Sequence, residues 1–213
     1  MTAASADGPS RTESGGPDRR ILVLACGETE RGDDGAALVA AETLRARMER
    51  GAQEARLAQG APVRAQGAHR GQMPADLHAS GSAGGPGAPS LPWEVEVRLV
   101  GQLEPDDLTG LAPGNRVVVI DAVRGIEPGR IVLRPLADLA TGGPAPRSSH
   151  MLPLRDVLGI VTALEGSLPE GVFVGLGGTS FELGGQMSAA VRDAIPRYVA
   201  AIEQEVSRLA ADG

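Results

Sequence analysis

Four carboxylates, Glu28, Glu30, Asp33 and Asp34, fall within the segment CGETERGDDG, and Asp121 closes the β-branched run RVVVID. A glycine loop between an apolar run and a helix-like pattern usually holds a phosphate. The glycines Gly27, Gly32 and Gly35 do not keep the G-x-G-x-x-G spacing, and no P-loop lysine follows. Four negative charges would also repel the phosphate that a helix N-terminus attracts. The loop is therefore read as suited to a cation or a donor-rich ligand. One member of the Asp33–Asp34 pair is expected to cap the helix that follows, leaving the other to turn toward the loop interior. Asp121, at the tip of a buried strand, is costly to desolvate unless it is paired or metal-bound. Accepting backbone N–H bonds in the following turn is the other reading, and the residues alone leave both open. His150, in RSSHMLPL, is the one histidine expected in ordered sequence. A lone loop histidine is more often a capping or surface residue, but two acids and an imidazole from three loops on one sheet edge form a divalent-metal set with open positions. His69 and His78 have no apolar neighbours to fix them and are set aside. Cys26 is read as a buried small residue, because the neighbouring acids suppress its thiolate.

These residues need a scaffold that brings loops together, and the apolar patterning supplies one. Ile21 to Cys26 reads as a buried strand, and Leu38, Ala41, Leu44 and Met48 mark one helix face. VEVRLV (95–100) alternates, DDLTGL suggests a short helix, and RVVVIDAV (116–123) and GRIVLRPL (129–136) read as strands. PLRDVLGIVTAL (153–164) is amphipathic, GVFVGLGG (171–178) is a strand, and Ser188 is expected to N-cap a last helix. Strands that alternate with helices predict an α/β fold: a three-layer αβα sandwich around a mostly parallel sheet of about five strands. Sites in such sheets form beyond the carboxyl ends of the strands. GLGGTSFELGG (175–185), after the last strand, is then a wall able to touch a ligand.

Composition limits the rest. Residues 1–19 lack large apolar side chains and are expected to form a disordered tail; about 51–92 reads as a disordered low-complexity insert whose first part could extend the helix by a turn or two. Residues 20–213 are expected to form a single domain around that insert. The net charge of −7 argues against nucleic acid and an anionic membrane surface as partners. One cysteine precludes an intrachain disulfide, the first twenty residues carry no apolar signal region, and no run is long enough to span a bilayer. A cytoplasmic monomer is expected.

At these residues the chain resembles the [NiFe]-hydrogenase maturation proteases. ILVLACGETERGDDG looks like the family's opening strand and acid loop, and VVVIDAVRGIEPG like its second acid motif with the PG turn. SSHMLPLRDVLGIV looks like its histidine motif, and GVFVGLGGTSFELGGQMSAAVRDAIPRYVAAI like its C-terminal strand, glycine loop and helix. The resemblance implies an endopeptidase that trims the C-terminus of a hydrogenase large-subunit precursor after nickel insertion. It places the family's metal-reading acids on Asp34 and Asp121 and its histidine on His150, with the nickel delivered inside the substrate. Glu28 stands where the family usually has asparagine, and Gln102 stands near the place of a threonine. With Thr179, these are the positions expected to contact substrate. Whether the metal polarises the scissile carbonyl or only licenses recognition is left open. The alternatives are a non-proteolytic adaptor that senses the nickel state of its partner, and a metal-dependent hydrolase of a small molecule.

Overall fold

The computed structural model describes residues 19–60, 93–142 and 152–212. Residues 1–18, most of the expected insert with His69 and His78, and the His150 motif from 143 to 151 lie outside the described residues. Five strands form one sheet: β1 (Arg20–Ala25), β2 (Glu94–Leu99), β3 (Arg116–Val123), β4 (Ile131–Pro135) and β5 (Glu170–Gly177), in the order β2-β1-β3-β5-β4. β1, β2, β3 and β5 run parallel, and β4 pairs antiparallel with β5. β3 is buried along its whole length, which is what a continuous β-branched run at the sheet centre requires. β2 lies at the edge, and its alternating EVEVRL is only half-buried.

Helices cover both faces, as the patterning predicts. On one face, α1 (Ala36–Gly60) and α4 (Ala189–Ala211) pack with Ile21, Val23, Val118, Ile120 and Val174. On the other, α2 (Leu136–Ala140) and α3 (Leu154–Glu165) cover Leu22, Leu24, Val117, Val119 and Phe173. Ser188 does N-cap α4, its hydroxyl accepting from Val191 N. Three local readings change. DDLTGL forms a short 3-10 turn, Pro105–Asp107, closed by a Glu104–Asp107 capping box. The strand expected to reach residue 136 stops at Pro135, and Leu136 starts α2. Residues 51–60, assigned to the insert with allowance for a turn or two of helix, continue α1 to Gly60. Residues 51–58 are exposed there, so this end packs on nothing described.

Candidate functional site

The acid loop is held by a close backbone approach. At the end of β1, Cys26 N donates to Ile120 O and Gly27 N to Gly101 O, which fixes the chain between its two neighbouring strands. Gly27 has φ 133°, and a Cβ there would lie 2.1 Å from the carbonyl oxygen of Asp34. Only glycine lets the acid turn fold back onto the strand end. The turn itself is a 3-10 segment, Gly32–Gly35, that runs straight into α1. Helical backbone therefore begins before both aspartates, and the cap position is Arg31, which makes no side-chain cap bond.

The two aspartates have different surroundings. Asp34 is 1% exposed, and its Oδ2 accepts from Glu28 N at 2.9 Å. Asp33 is fully buried and does not cap α1 as one of the pair was expected to do. Its carboxylate reaches across to the segment before α4, accepting from Thr179 N at 2.8 Å, Ser180 N at 2.9 Å, Ser188 N at 2.6 Å and the Ser188 hydroxyl at 3.0 Å. Burial alone would push its carboxyl up. The donors of Ser180, Thr179 and Ser188 outweigh that and hold it below the ordinary value.

Asp121 is 3% exposed, near the carboxyl end of β3 and paired in register with Gly175 of β5. Its backbone carbonyl, with that of Val174, accepts from the buried Tyr198 hydroxyl, which ties α4 to both central strands. The Asp121 side chain shares with Cys26, Leu103 and Phe173 a cavity of about 10 Å³, near the lower limit for one water. Burial raises the Cys26 thiol well above its ordinary range, and Asp121, Asp107 and Asp34 raise it further. That thiol is protonated at neutral pH and is no activated nucleophile. Asp34 and Asp121 are thus brought to neighbouring strand ends around Cys26. His150 lies outside the described residues. Among the described residues no three His, Cys, Asp or Glu groups could hold a metal ion.

The expected substrate-contacting positions differ among themselves. The Glu28 carboxylate turns outward to Arg31 Nε at 2.7 Å, so this residue contributes its backbone N–H to Asp34 while its charge faces solvent. Gln102 is half-buried in the loop after β2, and Thr179 is exposed on the glycine loop. Asp33 is the residue whose role the sequence reading left undecided. Three of its four donors are backbone N–H groups, which the sequence does not mark; only the Ser188 hydroxyl is a side-chain signal.

A larger cleft, of about 640 Å³, lies at the opposite edge, where Arg116 and Glu170 begin β3 and β5. Its charged groups serve the fold: Arg116 pairs with Glu170 at 2.9 Å, and Glu165 accepts from Gly110 N. Chemistry belongs at the other edge, where parallel strands end and the buried acids sit.

The sequence profile of the hydrogenase maturation protease family HycI matches residues 94–205, more than half of the 213 residues. The chain belongs to the hydrogenase maturation protease family. No curated protein sequence matches it. Among solved structures, the [NiFe] hydrogenase maturation protease HybD from Thermococcus kodakarensis is 23% identical with a TM-score of 0.50, covering 87% of this chain and 97% of that one. HycI from the same organism is 20% identical with a TM-score of 0.52, covering 88% and 92%. The maturating endopeptidase HybD from Escherichia coli is 20% identical with a TM-score of 0.53, covering 86% and 89%. At these identities the structural likenesses show the fold: a five-stranded, mostly parallel sheet between helices is the hydrogenase maturation protease architecture. Membership makes the chain a peptide hydrolase of the processing type. No described helix is long and apolar enough to cross a membrane.

Proposed function

We propose that this hydrogenase maturation protease removes the C-terminal extension of a [NiFe]-hydrogenase large-subunit precursor once nickel has been inserted, reading that nickel through Asp34, Asp121 and His150. The observation that carries the proposal is that two carboxylates are buried at the same sheet edge near Cys26, Asp121 near the carboxyl end of β3 and Asp34 in the turn that follows β1. Carboxylates at a buried strand edge are suited to binding a hard or borderline divalent cation through oxygen. A substrate-borne divalent ion would meet them on docking, and an imidazole from the His150 motif would complete a mixed oxygen and nitrogen set. Three protein ligands leave positions for the precursor's own groups. Nickel is thus part of the substrate, and the protein works as a cytoplasmic monomer on a docked partner. Glu28, Gln102 and Thr179 are the residues proposed to contact the docked precursor.

The test is precursor mass against time with purified protein. A nickel-loaded large-subunit precursor should be shortened and a nickel-free one left whole. Asp34→Ala, Asp121→Ala and His150→Ala should each lower processing by at least about 100-fold with circular dichroism unchanged, since none removes much core packing. Equal cleavage of both precursor forms would remove the nickel reading. Docking with no shortening of either form would make the protein an adaptor.

A further inference from the structure

We propose that Asp33 is a positioning residue of the processing site: its carboxylate locks the Gly178–Ser188 segment against the acid turn, so that Asp34 and the glycine wall meet a docked precursor in one arrangement. This deepens the proposed processing function and rests on it. A carboxylate has about four lone-pair sites. Four donors from one segment converge on it here, two backbone N–H groups and a hydroxyl on Oδ2 and the Ser188 N–H on Oδ1. Asp33 is therefore committed to donors of its own chain, although it adjoins Asp34. The adjacent acids divide the work, one holding the scaffold and the other facing the site.

The segment it holds needs an external anchor. Residues 178–188 contain no helix or strand, and Gly178, Gly184 and Gly185 loosen the backbone further. Backbone bonds along the same seam reinforce the clamp: Asp33 N donates to Ser180 O at 2.7 Å and Gly184 N to Glu30 O at 2.7 Å. The seam is packed without slack. A Cβ on Gly32 would come within 2.7 Å of the Ser180 hydroxyl, and one on Gly178 within 2.9 Å of the Asp33 Cβ. Because Ser188 is also the N-cap of α4, the carboxylate joins the acid turn to a core helix as well as to the wall. Charge-assisted bonds to N–H groups are about twice as strong as neutral ones, so an aspartate holds four converging donors where an asparagine amide would turn a donor against them.

The experiment compares wild type with Asp33→Asn on the nickel-loaded precursor, measuring kcat and KM separately and amide hydrogen exchange across the chain. Rates are referred to the folded fraction, read from the slow amides of β3 in the same sample, so that simple loss of folded protein does not register. Amides of 178–188 should exchange at least about 10-fold faster in the variant, with β1 and β3 unchanged. On the same basis kcat should fall about 10- to 100-fold while KM stays within about 3-fold, the effect of misplacing a group by roughly an ångström. Unchanged exchange in 178–188 overturns the clamp, and faster exchange with normal kcat overturns its role in processing. If Asp33→Asn does not fold, Ser188→Ala removes one of the four bonds and should give the same pattern at a few-fold scale; normal kcat there overturns the proposal too. A wild-type protein that leaves the precursor whole removes the processing function itself, and this role with it.

Discussion

The thiol of Cys26 and the phenol of Tyr198 are both fully enclosed, and both are pushed well above their ordinary ranges, chiefly by burial and then by Asp121. The chain has one cysteine, one tyrosine and no lysine, so these two groups dominate its side-chain titration between about pH 8 and 11. The sign follows from linkage. Groups whose folded pKa is raised hold their protons in the native state, so their contribution is fully present below the unfolded values and is lost as pH rises, because the unfolded chain ionises first. Stability should therefore fall from about pH 9 as unfolded Cys26 ionises, and more steeply from about pH 10 as unfolded Tyr198 follows. Cys26→Ala should delay the first part of the loss, and Tyr198→Phe should flatten the second at the cost of about 1 kcal/mol for its hydrogen bonds. Urea midpoints at half-unit pH steps check this; three identical curves would refute it. Since the buried thiol is protonated at neutral pH, Cys26→Ala should also keep the processing rate within about 2-fold.

Among the elements, those that span the core were legible because burial on both faces leaves a continuous signature. RVVVIDAV became β3 to the residue, and the amphipathic run after Pro153 became α3. α2 was not legible: five residues, LADLA, do not complete two helical turns, so no 3.6-residue period could separate them from the preceding strand. Asp34 and Asp121 were legible as candidates because strand ends fixed their edge. The partners of Asp33 were not, because they lie 146 to 155 residues away and nothing local marks a tertiary acceptor. The far end of α1 was ambiguous for the opposite reason, since GAQEARLAQG has good helix formers but no buried face. An unpacked helical end should melt alone. Ala55→Pro should remove helical circular dichroism equivalent to two or three turns while shifting Tm by less than about 2 °C, since a proline cost of about 3 kcal/mol is capped by the small stability of the exposed turns it disrupts. A drop of several degrees would mean that this end packs against something after all.

Across the whole molecule, the two edges of the sheet do different work. At the carboxyl edge, Asp33 and Asp34 sit in a turn that needs close glycine approach, and Asp121 lies near the end of β3. At the amino edge, Arg116 gathers the ends of distant elements: it is 8% exposed, pairs with Glu170 at the start of β5, and donates to Leu209 O and Asp212 O at the end of α4. Its guanidinium also lies 4.7 Å from the ring centroid of Trp93, just before β2. A lysine would reach fewer of these partners, because one ammonium cannot serve a carboxylate, two carbonyls and an aromatic face in a planar fork. Removing the charge leaves buried carbonyls unsatisfied, and hydrogen bonds to a charged group are worth about 1.5–3 kcal/mol. Arg116→Met should therefore lower unfolding stability by roughly that amount. Below its melting transition it should still process precursor at a rate within about 2-fold of wild type, because the acids lie at the far end of the same strands. The opposite pattern is expected of Asp34→Ala, with stability nearly kept and processing lost. Denaturant melts paired with precursor mass assays on both variants check the division, and a large loss of rate in folded Arg116→Met would show that the amino edge takes part in the reaction.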